Sequence, residues 1–197
     1  LPGGRRGRIR GLQIHRSKVS TVDAGHRVAV NIQGLDREDA PRGATLSTPG
    51  ALLATRRARA FVSMLAVAPP RLRRGGPVRV HQGTCERAAR LRLLSTADEG
   101  QLEAELLFAE DTVLLPGDRF IVRRPAPFDT IGGGVIVDAH PARALRRQAA
   151  REREPNVTAP WIERLARGGL SGRPIAALAA ELGRSVVEVE GELAPLL

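Results

Sequence analysis

Over its first two-thirds the chain alternates apolar and polar residues with a period of two. Val28, Val30 and Ile32 alternate with Arg27, Ala29, Asn31 and Gln33, the pattern of a strand with one face turned to a core. Val78 and Val80 alternate in the same way with Arg79 and His81, and Leu91 and Leu93 with Arg90 and Arg92. Leu102, Ala104, Leu106 and Phe108 alternate with Glu103 and Glu105, and Phe120 and Val122 with Arg119 and Ile121. Near the start, Ile9 differs in parity from Leu12 and Ile14 across Gly11, which predicts a bulge there. Turn signals separate the runs: Asp23-Ala24-Gly25, Arg42-Gly43, Pro49-Gly50, Arg74-Gly75-Gly76-Pro77 and Pro116-Gly117-Asp118. Many short strands at this spacing predict a mainly β chain built as sandwiches or barrels, and Pro49-Gly50 marks the boundary between two such units.

After Pro141 the period changes. Residues 142–154 are rich in alanine and arginine and read as an exposed helix or linker. Thr158 caps a helix through Trp161, Ile162 and Leu165 that stops at Gly168-Gly169. Ile175, Leu178, Ala179 and Leu182 then fall at helical spacing and end at Gly183. Ser185 with Glu188 forms a capping box that opens a further helix through Val186, Val189 and Leu193. Helix, short glycine turn, helix is the helix-turn-helix arrangement. With no β-wing after it, the tail is expected to be a truncated winged helix.

The 197 residues are 42% hydrophobic, ordinary for a soluble globular protein. No apolar run approaches the roughly 20 residues that a membrane helix needs, so no membrane partner is expected. The segment Leu1–Arg10 is basic and glycine-rich without an apolar core behind it, so it is not read as a secretory signal. It has no initiator methionine, which fits a chain that begins partway through a longer protein.

Charge adds a functional direction. The formal net charge is +10, and of the 31 basic residues only Lys18 is a lysine. Residues 1–50 hold nine basic and four acidic residues, residues 51–140 thirteen and ten, and residues 141–197 nine and seven. A basic surface attracts phosphate backbones through counterion release, and arginine grips a phosphate with two parallel hydrogen bonds. Cys85 is the single cysteine. That excludes an intramolecular disulfide and a thiolate zinc cluster, and it agrees with a cytoplasmic location.

The candidate chemistry is thin. Ile131-Gly132-Gly133-Gly134-Val135 invites comparison with a nucleotide loop, but such a loop needs a lysine and a hydroxyl residue after its glycines, opening a helix. These glycines lead into Val135-Ile136-Val137, a strand, where they allow another backbone to come close. His15, His26, His81 and His140 have no metal-type spacing, and no metal site is expected. Asp98-Glu99 and Glu110-Asp111 read as solvated charge. There is no tyrosine, and Phe61, Phe108, Phe120 and Phe128 fall mostly at core parity, which disfavours an aromatic platform for bases. Recognition of an RNA backbone by arginine fits better, with no complete catalytic site in the chain.

Three stretches narrow the field further. Residues 24–50, with Ala24-Gly25-His26-Arg27-Val28-Ala29-Val30-Asn31-Ile32-Gln33-Gly34 and the later Arg42-Gly43-Ala44-Thr45-Leu46, resemble the closing half of the second domain of translational GTPases. Residues 116–138, with Pro116-Gly117-Asp118-Arg119-Phe120 and then Thr130-Ile131-Gly132-Gly133-Gly134-Val135, resemble the end of their third domain. The opening Arg8-Ile9-Arg10-Gly11-Leu12-Gln13-Ile14-His15 is similar to this segment in selenocysteine-specific elongation factors of the SelB family. The helical tail favours that family over elongation factor Tu.

The resemblance implies two translation-factor β-barrels followed by a small α-helical tail. Residues 1–50 would be the second half of the domain 2 barrel, 51–141 the domain 3 barrel, and 142–197 a linker helix with a truncated winged-helix domain. It implies a role in translation elongation and selenocysteine incorporation, delivering selenocysteinyl-tRNA to the ribosome in a GTP-dependent manner. GTP and Mg would belong to the GTPase domain of the family, absent from this sequence, so this chain should not hydrolyse GTP alone. An mRNA hairpin would bind the C-terminal arm of the full protein, and the chain would be a monomer. Contacts to the aminoacyl end would lie near Arg8, Arg10 and His15. Contacts to the tRNA T arm would lie near Arg79, His81, Gln82, Arg123 and Arg124, with Gly132 and Gly133 allowing close backbone approach. Two rival readings stay open: another translational GTPase of the elongation factor Tu class, and a DNA-binding regulator using the helix-turn-helix.

Overall fold

The computed structural model describes residues 4–66, 76–96, 101–141 and 173–194. The chain divides into two compact units, Leu1–Pro49 and Gly50–Leu197.

In the first unit, β1 (Arg8–Ile14), β2 (Ser17–Val19) and β3 (Ala29–Gln33) form an antiparallel sheet in the order β2-β1-β3. Leu12, Ile14, Val30 and Ile32 are half-buried, while their neighbours in sequence are exposed, so the period-two pattern does select one face. The bulge foreseen at Gly11 is present. Ile9 pairs with Ile32 and Gly11 with Asn31, which leaves Arg10 as the extra residue. His15 and Arg16 make the two-residue turn into β2 with φ of 49° and 70°. A twist-matched hairpin turn demands this left-handed conformation, which glycine or asparagine usually supplies.

The second unit is built on a closed six-stranded barrel. Its strands are β4 (Ala54–Met64), β5 (Gly76–Gln82), β6 (Cys85–Thr96), β7 (Leu102–Val113), β8 (Arg119–Arg123) and β9 (Thr130–Asp138), in the order β4-β7-β6-β5-β8-β9. Closure leaves no sheet edge unpaired. The interior is filled by a mixture of small and large side chains: Ala58, Ala60, Ala89 and Ala104 pack among Leu91, Leu106, Phe108, Phe120, Ile131 and Ile136. Such mixing suits the taper of a small barrel. Phe108 and Phe120 are buried as their parity predicts. Phe128 is not: it lies in a loop and is 65% exposed. Phe61 stands among the half-buried residues between the core positions Ala60 and Val62, so core parity holds for only two of the four phenylalanines.

The barrel closes at a seam between β9 and β4. Gly134 pairs with Val62 and Gly132 with Met64. A β-carbon on Gly134 would lie 2.0 Å from the Phe61 carbonyl oxygen, and one on Gly132 would lie 2.6 Å from that of Ser63. No side chain fits at either distance.

The C-terminal pair, α1 (Ile175–Leu182) and α2 (Val186–Leu193), follows the predicted spacing. Leu178, Ala179 and Val189 form its small core. The foreseen helix involving Trp161 lies outside the described residues. Gly183 ends α1 in the left-handed conformation with φ of 65°, and the Arg184 N–H reaches back to the Ala179 carbonyl at 2.9 Å. The predicted capping box is formed: the Glu188 N–H donates to Ser185 Oγ at 3.2 Å, and the Ser185 N–H donates to Glu188 Oε2 at 2.8 Å. Arg184 clasps Glu192 through two bonds of 2.6 Å.

Two outcomes follow from these contacts. Gly134→Ala forces a carbonyl clash at the seam, so it should lower barrel stability by about 3 kcal/mol, the upper range for overpacking, read as a drop in the urea midpoint. The Ser185 N–H and hydroxyl hold the Glu188 carboxyl below its usual range. Its folded value is therefore below its unfolded one, and its contribution is present above the ordinary glutamate value of about 4.3 and lost as pH falls through the folded value. Amide protection of α2 should fall on acidification over that window and stay flat above it.

Candidate nucleic-acid interface

Strands β5 and β8 are antiparallel neighbours. Their register sets Arg79 opposite Arg123 and His81 opposite Ile121. The intervening Val80 and Val122 are core residues, so the arginines and His81 belong to the outer face. Like charges directly opposite across a sheet oppose each other. Arg79 has Glu86 at 3.7 Å, too long for a hydrogen bond. Arg123 donates to the Phe128 carbonyl, and its Nε is buried without a partner. The loop that follows is pinned: Arg124 pairs with Asp129, and the Arg124 N–H donates to the Asp129 carbonyl at 2.9 Å.

Another face of the same barrel shows what balanced arginines look like. Arg57 lies 3.2 Å and Arg92 4.0 Å from the buried Glu105, and Arg59 pairs with Glu103. Carboxylates on β7 there neutralise arginines from both neighbouring strands. Between β5 and β8 one facing pair, Arg79 and Arg123, carries the same sign. An external polyanion would screen that pair.

The structure thus brings Arg79, His81 and Arg123 together, with Arg124 beside them. It separates Gln82 from the group: its Nε2 donates to Asp118 Oδ2 at 3.0 Å. Gly132 is buried, and the backbone it admits belongs to β4 of its own barrel. Gly133 has the alternate parity and lies with Ser63, Ile121 and Val135 in the lining of a shallow, mostly apolar depression. Arg119 was not singled out from the sequence. It is exposed on β8 in phase with Ile121 and Arg123, and that parity was the signal that could have found it.

In the first unit, Arg8 pairs with Gln33 and Arg10 Nε donates to Gln33 Oε1 at 2.7 Å. Both arginines are exposed. The bulge aims Arg10 and the glutamine steadies it. His15 is at the far end of β1, about 15 Å from Arg10 at the usual strand rise, so the three residues do not form one pocket.

The glycine run does not fit a nucleotide. Positions 132 to 134 are strand residues of β9, and the atoms nearest each missing β-carbon are carbonyl oxygens of Ser63, Phe120 and Phe61. Acceptors repel phosphate, whereas a phosphate cradle needs N–H donors.

Comparison with known proteins agrees with this architecture. Residues 58–143 match the family model of the selenocysteine-specific elongation factor β-barrel domain. The chain is also 32% identical, over 155 residues, to a selenocysteine-specific elongation factor from Desulfomicrobium baculatum. It belongs to the SelB family of selenocysteine-specific elongation factors. The alignment covers 76% of this chain and 24% of that relative, so the chain spans about a quarter of the SelB protein it matches.

Two solved SelB-family structures share the fold. The crystal structure of a bacterial selenocysteine-specific elongation factor, EF-Sec, superposes with a TM-score of 0.66 at 18% identity, covering 91% of this chain and 29% of that one. The apo form of SelB from Methanococcus maripaludis gives 0.54 at 19% identity, covering 68% and 34%. The mainly β reading, with a closed barrel and a helical tail, is thereby shown.

The like-charge register has a stability consequence. Arg79→Ala relieves the repulsion, so it should leave the urea midpoint unchanged or raise stability by up to about 1 kcal/mol.

Proposed function

We propose that this chain supplies the RNA-holding part of a selenocysteine-specific elongation factor, with the β5–β8 face of the barrel gripping the T arm of selenocysteinyl-tRNA. The observation that carries the reading is the register that sets Arg79 opposite Arg123. Arg119, exposed on β8, extends the same cationic surface. Phosphates settling over the outer face at Arg79 and Arg123 relieve a repulsion between them, so binding gains from both attraction and relief. In this reading residues 1–50 belong to the second domain of the factor, with Arg8 and Arg10 near the aminoacyl end, and 51–141 form the third. Residues 142–197 lead toward the arm that meets the mRNA hairpin.

GTP, with its Mg, is the ligand of another part of the family protein. What this chain's residues do is bind and orient the RNA on the ribosome, in the cytoplasm, as a monomer. Among the described residues no helix is long and apolar enough to cross a membrane. The DNA-binding alternative is poorly supported: α2 carries Glu188, Glu190 and Glu192 and no basic residue, the wrong sign for a helix entering a groove.

Fluorescence titration of the full chain with an aminoacyl-tRNA acceptor–T-arm minihelix should show tighter binding than with an unrelated duplex of equal length. Arg79→Ala and Arg123→Ala should each weaken the minihelix and flatten the plot of log K against log salt by about one. Equal affinity for both RNAs in physiological salt would sink the reading.

A further inference from the structure

The turn Pro116-Gly117-Asp118 joins β7 to β8, and RNA binding gives it no task. Its geometry is nevertheless over-determined. Asp118 Oδ2 accepts from the Leu115 N–H at 2.8 Å and from Gln82 Nε2 at 3.0 Å. The Gly117 N–H donates to the Ile136 carbonyl at 2.8 Å, and the Ile136 N–H donates to the Asp118 carbonyl at 2.8 Å. One carboxylate thus ties the turn to the β5–β6 hairpin, and two backbone bonds tie it to β9. Leu114, just before the turn, is a core residue only 2% exposed. The next side chain, Leu115, is half-buried.

Leu115 meets the helical tail. A β-carbon on Gly183 would lie 2.5 Å from Leu115 Cδ2, 2.8 Å from Cδ1 and 3.1 Å from Cγ. The isobutyl group therefore packs onto the bare backbone of the glycine that ends α1. Gly183 meets two demands at once: its φ of 65° favours glycine, and so does the space. The tail itself is stiff at this point. Arg184, the next residue, clasps Glu192, and the Ser185–Glu188 capping box fixes the start of α2. Arg173 holds the buried Glu181 from the other end of α1.

We infer that Leu115, held by Asp118 and Gln82, is a seat that fastens the α1–α2 pair to the end of the barrel through Gly183. Gln82 is then a positioning residue for the turn, and its amide is spent there. Through the seat, the orientation of the helical pair is set by the barrel. Whatever the tail carries is held in fixed register to the β5–β8 face, because Gln82 ends the strand that bears Arg79 and His81. The inference needs no RNA and stands independently of the proposed function.

Residual dipolar couplings on the full chain test it. In the native chain, barrel amides and α1–α2 amides should share one alignment tensor. Leu115→Ala removes the seat without touching the helices. It should lower the order of the helical pair to about half that of the barrel, with the barrel tensor unchanged. Gly183→Ala attacks the contact from the other side and should do the same. Gln82→Ala should give the same direction with a smaller loss. Separate tensors in the native chain, or an unchanged shared tensor in Leu115→Ala, would overturn the proposal.

Discussion

Everything in the larger unit depends on how closely β9 can approach β4. The sheet becomes a barrel only when these last two strands meet, and they meet where Gly132 and Gly134 leave room for the carbonyls of Ser63 and Phe61. Once they meet, no backbone edge is left open. Each strand then has two fixed neighbours, and the register of every pair is settled. That Arg79 faces Arg123 across β5 and β8 is one result of this closure. The glycines that resemble a phosphate loop in sequence thus close the scaffold in which these arginines stand side by side.

The barrel presents two kinds of arginine. On the β4–β7–β6 side, Glu105 and Glu103 lie among Arg57, Arg92 and Arg59. These arginines are held in a cross-strand network of ion pairs. On the β5–β8 side Arg79 faces Arg123, with Glu86 3.7 Å from Arg79. Net charge alone does not separate the two kinds, since both contribute to the same +10. Register separates them, because it decides whether a guanidinium faces a carboxylate or another guanidinium. A surface that repels itself in the free state is one that an anion can stabilise.

The strands with large inward residues could be read from the sequence: β5, β7 and β8 follow their valines, leucines and phenylalanines. The bulge at Gly11 was legible because parity breaks there, and the capping box because Ser185 and Glu188 lie three residues apart. Strand β4 was hidden. Its inward residues include Ala58 and Ala60, too small to stand out against arginines, and alanine favours helix when read alone. The site was half legible for a related reason. Parity places Arg79, His81, Arg119 and Arg123 on outer faces, but pairing between strands more than 40 positions apart is a property of the closed barrel. Gln82 shows the limit most sharply: next to His81 in sequence, it is drawn away by Asp118, a partner 36 residues on.

The two units differ in how they are stabilised. The barrel buries more than a dozen apolar side chains in one cluster, whereas no described residue of 4–49 reaches the buried class. A three-stranded sheet with a half-covered apolar face is near the lower limit of independent stability. Its hairpin also places His15 and Arg16 in the left-handed region, a conformation that costs non-glycine residues about 1 kcal/mol or more each. The same segment carries Arg8 and Arg10, steadied by little beyond Gln33. Rigid placement of charge is therefore available on the barrel and much less so on the small sheet.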